Sequence, residues 1–335
     1  MNSIAFIDCY GDLAERFTPE MQKFLPELKV IYGKTLNEKD IIKRIGNHTN
    51  ILVYMAFISK KVLKSCKNLK SIAYLSTGLK THGDLETAKI LGIKFEGVKD
   101  YGNIAVAEHT ITLALASLKR IVEMDNIVRS NNWSLLKTEE FSSKTFGLIG
   151  FGGIGRETAK MATALGARTI AWNRTKKEED GVEFLPLERV LSESDILSFH
   201  LALNDQTISF LDDEKLYKTK KGVIFVNTSR AEIFNEKTIL KGLSTGHIKH
   251  CAMDVFHEEP LPKNHQFLNS KCVTLTPHSA WVTSQAIDRL LWSGLKLLKI
   301  HSKEHLGHPI FVSDWYKYLV HSQLAVSLII PLPSL

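Results

Sequence analysis

Residues 145–155 read TFGLIGFGGIG, an apolar run that leads directly into a glycine-rich turn. Residues 156–165 then carry apolar side chains at helical spacing. A strand, a G-x-G-x-x-G turn and a helix in this order are typical of a dinucleotide-binding site, because free amides and the positive end of the helix dipole hold phosphate. The alternative is a strand–helix turn that binds nothing.

Each glycine has its own role in this prediction. Gly150 permits the tight turn, Gly152 lets a pyrophosphate approach the backbone, and Gly155 permits close packing of the helix against the strand. The predicted phosphate site comprises Gly150, Gly152, Gly153, Ile154 and Gly155.

The end of the next predicted strand indicates which dinucleotide is bound. An NAD site carries an acidic residue about 20 positions after the glycines, where it accepts hydrogen bonds from the adenosine ribose. Asn173 and Arg174 stand here instead, and no carboxylate follows before residue 178. Because a guanidinium binds phosphate with a planar fork, Arg174 favours NADP(H) over NAD(H). The alternative is that Asn173 binds the ribose hydroxyls well enough for NAD.

Predicted strands and helices alternate along the chain, which indicates an α/β fold of parallel sheets covered by helices. The first series of strands is Ser3–Ile7, Lys29–Tyr32, Ile51–Tyr54 and Lys70–Leu75. The second is Thr145–Ile149, Arg168–Trp172, Ile196–His200, Gly222–Val226, His250–Met253 and Cys272–Leu275. Continuous Val, Ile and Phe runs are typical of strands buried on both faces. We therefore expect two Rossmann-like lobes, a doubly wound dinucleotide-binding domain and a smaller flavodoxin-like substrate domain.

A long apolar pattern separates the two series of strands. Apolar residues recur three or four positions apart over Val106–Met124, which predicts one helix that bridges the lobes or faces a second subunit. The chain beyond Trp281 is again helical in pattern and is expected to return to the first lobe. The predicted domains are residues 101–285 for the dinucleotide and residues 1–100 with 286–335 for the substrate. The apolar end of the chain, residues 329–333, has no readable role.

Composition limits the class of protein. A chain of 335 residues has the length of about two domains, and 44% hydrophobic with 24% charged residues is typical of a globular protein. The net charge of +7 is spread without a run of five like charges, which favours a solvated surface that attracts small anions over a nucleic-acid interface.

The expected location is the cytoplasm, without a membrane anchor. No run of about 20 apolar residues predicts a membrane span, and Asp8 interrupts the apolar start, so that a secretory signal is not expected. Four widely spaced cysteines without a Cys-x-x-Cys pair predict reduced thiols, with neither a disulfide framework nor a metal site.

Three later segments place polar side chains at the ends of predicted strands, where open α/β sheets bind their ligands. Residues 226–230 read VNTSR, residues 254–260 read DVFHEEP, and residues 275–281 read LTPHSAW. An arginine can bind the carboxylate of a 2-keto acid and polarise its ketone, a histidine can deliver the proton, and a carboxylate can keep that histidine charged.

These motifs, in this order and spacing, resemble those of the D-isomer-specific 2-hydroxyacid dehydrogenases. The similarity is strongest over residues 101–290, and the TPHxAW segment is similar to the branch of glyoxylate and hydroxypyruvate reductases and glycerate dehydrogenases. The resemblance implies hydride transfer between a nicotinamide dinucleotide and C2 of a small 2-keto acid, which gives a D-2-hydroxy acid. Together with the 106–124 helix it also implies a homodimer.

Carried over residue by residue, the resemblance implies three catalytic residues: Arg230, His278 as general acid and Glu259 as its partner, with Glu258 facing solvent. Asp254 would bind the nicotinamide carboxamide, and the backbone near Leu201 and Thr228 would line the cofactor. The implied substrate residues are Ser76, Thr77, Gly78, Arg230, His278 and Trp281. Consecutive amides in the turn at 76–78 suit a carboxylate.

Several alternatives stay open. Arg230 can instead pair with a surface carboxylate, and Trp281 can simply fill a pocket wall. His109 and His200 are expected to be structural histidines. Ala231 and Ala202 depart from the family pattern but leave the polar groups in place. The segment 79–83 lacks an asparagine common in the substrate loop of the family, which leaves the choice of substrate open. The alternative functions are an NAD-linked D-lactate or D-3-phosphoglycerate type of dehydrogenase and a dinucleotide-sensing corepressor-like protein.

Overall fold

A computed structural model describes residues 3–304, and within them the chain divides into two compact units. The first unit runs up to Tyr101 and resumes at Ile287, whereas the second is continuous from Gly102 to Ala286. The apolar segment 329–333, for which the sequence offered no role, lies outside the described residues.

The first unit is a five-stranded parallel sheet with helices between its strands. Its strands are β1 (Ile4–Cys9), β2 (Leu28–Tyr32), β3 (Asn50–Val53), β4 (Ser71–Tyr74) and β5 (Lys94–Gly97). Its helices are α1 (Asp12–Arg16), α2 (Pro19–Phe24), α3 (Glu38–Ile45), α4 (Lys60–Ser65) and α5 (Leu85–Ile90). The strand order 2-1-3-4-5 is the flavodoxin-like order, which confirms the predicted class of this lobe.

Burial explains why three strands of this unit are evident in the sequence. Every residue of β1, β3 and β4 is buried, so that their apolar runs are continuous. The edge strand β5 is only half-buried and reads KFEG, and no strand was predicted there. Charged residues on an edge strand are common, because they discourage pairing with another sheet.

The second unit contains a seven-stranded parallel sheet. Its strands are β6 (Thr145–Ile149), β7 (Arg168–Trp172), β8 (Val182–Phe184), β9 (Ile196–Phe199), β10 (Val223–Asn227), β11 (Ile248–Met253) and β12 (Val273–Leu275). Its helices are α6 (Asn103–Leu118), α7 (Ile121–Arg129), α8 (Gly153–Ala164), α9 (Leu187–Glu193), α10 (Asp213–Tyr217) and α11 (Glu236–Ser244). A last helix, α12 (Ser284–Glu304), starts at the end of this unit and continues as part of the first.

The sheet of the second unit is covered on both faces, which confirms the predicted doubly wound fold. Its strand order is β12-β11-β10-β9-β6-β7-β8, all parallel, and the order reverses between β6 and β9. Along β10, Val223 and Phe225 pack in one apolar cluster, while Ile224 and Val226 pack in another. Successive side chains of a strand point to opposite faces, so these clusters lie on the two sides of the sheet. Ligands of such sheets bind where the strand order reverses.

The prediction of one helix over Val106–Met124 is wrong. Helix α6 ends at Leu118 and α7 begins at Ile121, because Arg120 has a left-handed backbone with φ of 52° that interrupts the helical hydrogen bonds. The Arg120 guanidinium then pairs with Glu123 in the first turn of α7. Helix α6 buries nine residues and α7 buries none. The apolar spacing of the sequence thus continues into α7, although that helix does not contribute to the core.

Candidate active site

The glycine-rich turn lies at the carboxyl end of β6, beside the point where the strand order reverses. Gly150 has φ of +96°, and a Cβ at this position would lie 2.7 Å from the carbonyl oxygen of His200. A Cβ on Gly155 would lie 2.6 Å from the carbonyl oxygen of Gly150. Both distances are shorter than any normal contact, so the turn and the packing of α8 against it require glycine at both positions.

The space above Gly152 is open and fits a phosphate group. No atom lies within 4 Å of the place where a Cβ on Gly152 would be. Helix α8 begins at Gly153, and within the described residues no side chain caps its N-terminus. No side-chain cap therefore uses its first amides, and open space lies beside Gly152, which is the arrangement that binds pyrophosphate in dinucleotide-binding folds. The residues present fit a nicotinamide dinucleotide.

Gly153 is required by a contact with another helix, which the glycine-rich motif does not predict. A Cβ here would lie 2.2 Å from Nδ2 of Asn103, the first residue of α6. Asn103 therefore packs directly against the start of α8, and sequence reasoning missed it. Only the close packing of the two helices reveals this contact.

Asn173 connects the glycine-rich turn to the end of β7. Its Oδ1 accepts a hydrogen bond from the Phe151 amide at 2.9 Å, and its Nδ2 donates to the Thr175 carbonyl at 2.8 Å. Arg174 is exposed, and its Nη1 donates to Oε1 of Gln206 at 2.9 Å. The Asn173 carboxamide thus holds the shape of the turn, while the Arg174 guanidinium stays at the surface with hydrogen-bond donors to spare.

Leu201 and Thr228 follow β9 and β10, respectively. A Cβ on Gly150 would lie 3.1 Å from Cδ2 of Leu201, so this side chain lines the glycine-rich turn. The Thr110 hydroxyl donates to the Val106 carbonyl. The hydroxyl oxygens of Thr110 and the buried Thr228 lie 2.8 Å apart. Since the Thr110 proton is already used, Thr228 is the donor, and the end of β10 is fixed to α6.

Arg230 lies just beyond the carboxyl end of β10 in a turn organised by Asn227. Oδ1 of the buried Asn227 accepts from the Ser229 amide at 3.0 Å, and its Nδ2 donates to the Arg230 carbonyl at 2.9 Å. The Arg230 guanidinium donates to the Ser229 carbonyl at 2.6 Å. Within the described residues of this unit no carboxylate forms an ion pair with it, which leaves most of its donors for an anionic ligand.

Glu259 and His278 form a hydrogen-bonded pair beyond the ends of neighbouring strands. His278 Nδ1 lies 2.8 Å from Glu259 Oε2, and Glu259 Oε1 accepts from the Phe256 amide at 2.9 Å. The carboxylate is thus fixed from both sides, and Glu258 is exposed. With Nδ1 directed to the carboxylate, the other ring nitrogen, Nε2, is the one that can exchange a proton with a ligand.

Asp254 is buried beneath the loop that carries His278. Its Oδ1 accepts from the Thr276 hydroxyl at 2.6 Å and from the Ser279 amide at 2.9 Å, and its Oδ2 accepts from the Ala280 amide at 2.9 Å. The carboxylate therefore organises this loop. Contact between Asp254 and a nicotinamide stays a prediction.

Trp281 ends the same loop and is half-buried. Its Cβ would lie 3.5 Å from a Cβ on Gly102, at the start of α6. Its role towards a substrate stays a prediction.

The substrate residues Ser76, Thr77 and Gly78 lie in the first unit, in the loop after β4. The Ser76 hydroxyl accepts from the Gly78 amide at 3.4 Å and lies 3.0 Å from Nε2 of His82, and the Thr77 hydroxyl donates to the Val98 carbonyl at 3.0 Å. His82, which stacks on Tyr74 with ring centroids 4.6 Å apart, was not predicted to take part. These side-chain contacts give the loop a defined shape.

A buried carboxylate also organises the neighbouring loop of the first unit. Asp8, at the carboxyl half of β1, accepts hydrogen bonds from the amides of Tyr54, Met55 and Ala56, each at 2.8 Å. Burial raises the pKa of Asp8 to about 6, against the lowering effect of these three donors. No sequence pattern signals this role, since Asp8 appears there only as an interruption of an apolar run.

Two further histidines of the second unit have structural contacts. His200 Nε2 lies 2.9 Å from the Ser198 hydroxyl, and burial lowers the pKa of His200 to about 3, so that it stays neutral. His109 Nε2 lies 3.0 Å from the Thr276 hydroxyl. Neither contacts Glu259 or Arg230 through any hydrogen bond within the described residues.

Comparison with known proteins decides the family. Residues 111–280 match the family model described as D-isomer specific 2-hydroxyacid dehydrogenase, NAD binding domain. The chain belongs to the D-isomer specific 2-hydroxyacid dehydrogenase family. It is therefore an oxidoreductase with a nicotinamide dinucleotide cofactor, as the motifs predicted.

Individual relatives agree with this assignment. The chain is 37% identical to the glyoxylate reductase of Aeropyrum pernix over 242 residues, 68% of this chain and 72% of the relative. It is 33% identical to the hydroxypyruvate reductase of Thermotoga maritima, over 80% of this chain and 88% of the relative. Among solved structures, the D-lactate dehydrogenase from Aquifex aeolicus complexed with NAD and lactic acid superposes with a TM-score of 0.77 at 25% identity, covering 91% of this chain and 97% of the other.

Three further features concern the described part of the chain. No group of three or more His, Cys, Asp or Glu side chains with the arrangement of a metal site occurs among residues 3–304. In the same part of the chain, no helix combines the length and the apolar character that crossing a membrane requires. The four cysteines are all free, with Cys272 exposed and the other three buried.

Proposed function

We propose that this family member reduces the C2 carbonyl of a small 2-keto acid, of the glyoxylate or hydroxypyruvate type, to a D-2-hydroxy acid. The observation that carries this proposal is the His278–Glu259 pair, 2.8 Å apart at the strand ends of the NAD-binding unit. A histidine held by a carboxylate supplies the proton that carbonyl reduction needs. The glyoxylate and hydroxypyruvate reductases among the relatives support the substrate class.

The proposed proton donor is Nε2 of His278. The Glu259 carboxylate accepts a hydrogen bond from Nδ1 and orients the ring, and the Phe256 amide holds the carboxylate in place. As the carbonyl double bond of the substrate breaks, its oxygen takes the Nε2 proton. When bound, the reduced nicotinamide supplies the hydride that C2 receives. The reverse reaction would use neutral His278 as the base.

Anchoring the substrate is the proposed role of Arg230 and the loop at 76–78. The guanidinium would pair with the substrate carboxylate and stabilise negative charge on the carbonyl oxygen. In the loop at 76–78 the Ser76 amide already donates to the Tyr74 carbonyl at 2.8 Å and the Gly78 amide to the Ser76 hydroxyl at 3.4 Å, so the Thr77 amide is the one that would donate to a carboxylate. In this proposal the first unit is the substrate domain and the second the dinucleotide domain.

The proposed cofactor is NADP(H) rather than NAD(H). The amides of Gly152–Gly155 and the start of α8 would hold the pyrophosphate. Arg174, at the surface beyond β7, would bind the 2′-phosphate, and residues 173–177 contain no carboxylate to repel it. Asn173, already bonded to Phe151 and Thr175, would act by fixing the turn.

A substrate and cofactor panel tests these proposals together. Glyoxylate, hydroxypyruvate, pyruvate and bulkier 2-keto acids are each assayed with NADPH and with NADH, and the stereochemistry of the product is determined. We expect the highest kcat/KM for a two- or three-carbon acid with NADPH. Absence of keto-acid-dependent oxidation with either cofactor would overturn the proposed function, and equal use of both cofactors would overturn only the preference.

We also propose a homodimer in the cytoplasm. Helix α7 buries none of its residues, and beyond it Trp133 and Leu135 are 85% and 95% exposed. Large exposed apolar side chains that lie close together mark interaction surfaces. Free cysteines suit a reducing compartment. Light scattering at micromolar concentration should give the dimer mass, and replacing Trp133 and Leu135 by serine should shift it to the monomer, unlike Leu268→Ser at another exposed leucine.

A further inference from the structure

The general acid stands in an unusual backbone conformation. His278 has φ of +51°, the left-handed region that residues with a Cβ rarely adopt. Such a conformation persists where surrounding contacts hold it, and it occurs often at functional sites. The contacts that hold this one therefore determine where the imidazole points.

Asp254 supplies contacts on both sides of His278. Its carboxylate accepts from the Thr276 hydroxyl before His278 and from the Ser279 and Ala280 amides after it. The Asp254 side chain is 1% exposed, so water does not compete for these bonds. The left-handed residue is thus enclosed between groups that one buried carboxylate holds.

His109 of α6 extends this network by one further bond. Its Nε2 lies 3.0 Å from the Thr276 hydroxyl and 3.7 Å from Oδ1 of Asp254. A hydroxyl has one proton, and that of Thr276 is donated to Asp254. Nε2 of His109 must therefore carry a proton and donate it to Thr276. The tautomer of His109 is fixed, and α6 is linked to the loop of the general acid.

We propose that His109 is a positioning residue for carbonyl reduction, which acts through Thr276 and Asp254 to hold His278 in its left-handed conformation. This inference rests on the proposed function, because it takes His278 as the proton donor. His109 itself touches neither substrate nor cofactor in this scheme. Its loss should lower kcat and leave dinucleotide binding intact.

The experiment compares three single variants of the full chain. His109→Leu removes the donor, His109→Gln keeps an amide donor, and Thr112→Val removes an exposed hydroxyl from the same helix as a matched control. We expect His109→Leu to lower kcat about tenfold with the NADPH dissociation constant unchanged, and His109→Gln to restore most of the loss. A parallel loss of kcat and NADPH binding, or equal losses in the Leu and Gln variants, would overturn the proposal.

A double-mutant cycle separates the network from general damage to α6. Thr276→Val removes the shared hydroxyl, so that His109→Leu should have little further effect on kcat in that background. Additive losses would contradict the proposal. The imidazole NMR signals of His278 give a readout without substrate: they should shift in His109→Leu and not in Thr112→Val. If the wild-type chain reduces no keto acid but these signals shift, the proposed function fails while the positioning contact stands.

Discussion

Nδ1 of His278 and Oε2 of Glu259 lie 2.8 Å apart, although one follows β12 and the other follows β11. The two strands are neighbours in a parallel sheet, so their carboxyl ends meet at one edge. Arg230 extends from the same edge, at the end of β10, the next strand in the sheet. The proposed chemistry takes place at this edge of the sheet.

His278→Ala should lower kcat/KM more than about 100-fold, because the proton donor is lost. Glu259→Gln should lower it by about tenfold or more, since a neutral amide oxygen is a weaker acceptor for the Nδ1 proton and orients the ring less firmly. Steady-state kinetics measure both effects, and NADPH titration should show unchanged binding. The matched control is Glu258→Gln at the exposed neighbouring residue; an equal loss there would contradict the assignment of Glu259.

Arg230→Lys should raise KM for the keto acid about tenfold or more and also lower kcat. A lysine keeps the charge but lacks the planar pair of donors that a carboxylate and a carbonyl oxygen need together. Kinetics over a range of keto-acid concentrations separate the two effects. A variant with wild-type KM would show that the substrate anion binds elsewhere.

Gly152→Ala and Gly155→Ala should have opposite consequences. A methyl group on Gly152 meets no protein atom, so Tm should stay unchanged while dinucleotide affinity falls about tenfold or more, because the methyl occupies the phosphate space. A methyl group on Gly155 meets the Gly150 carbonyl and should cost about 1–3 kcal/mol of stability. Calorimetry and NADPH titration measure the two properties; a stable Gly155→Ala chain would contradict the packing argument.

Arg174→Ala should weaken NADPH binding about tenfold and leave NADH binding unchanged, because the guanidinium is proposed to contact only the 2′-phosphate. Lys177→Ala makes the same change of charge at a nearby exposed residue and is the control. Fluorescence titration with both cofactors measures the effect. An equal loss in both variants would indicate a general effect of charge rather than a specific contact.

Acid should destabilise the second unit partly through His250. Burial lowers the pKa of His250 to about 4 from the unfolded value of 6.5, and its Nε2 lies 2.9 Å from the Thr274 hydroxyl. The unfolded chain therefore binds the proton more tightly than the folded one, and stability falls as the pH drops from about 6.5 to about 4, by at most about 3 kcal/mol.

Urea unfolding of His250→Gln between pH 4 and pH 7.5 tests this contribution. In the variant, the unfolding free energy should depend less steeply on pH. The part of this dependence that is due to His200 should remain, since burial lowers the pKa of His200 to about 3. His257→Gln at an exposed position serves as the control for the loss of an imidazole. Identical slopes in all three proteins would rule out the His250 contribution.

Much of the fold could be predicted because buried parallel strands consist of continuous runs of apolar residues. Strands β6 and β7 were predicted with the bounds that the structure has, whereas the edge strands β5 and β8 were not predicted. These two edge strands are short and half-buried, so their composition resembles that of loops. The break between α6 and α7 escaped prediction because the backbone of Arg120 is not encoded by apolar spacing.

The sequence alone determined the fold class, the glycine-rich turn and the kinds of polar residue at the strand ends, because these depend on local composition and spacing. Only the tertiary structure decided which groups meet: Asn103 with Gly153, Asp8 with the loop after β3, and Asp254 with the loop of His278. These contacts join segments far apart in the chain. Which residues meet in these contacts depends on how the strands pair and the helices pack, and no local sequence pattern predicts that.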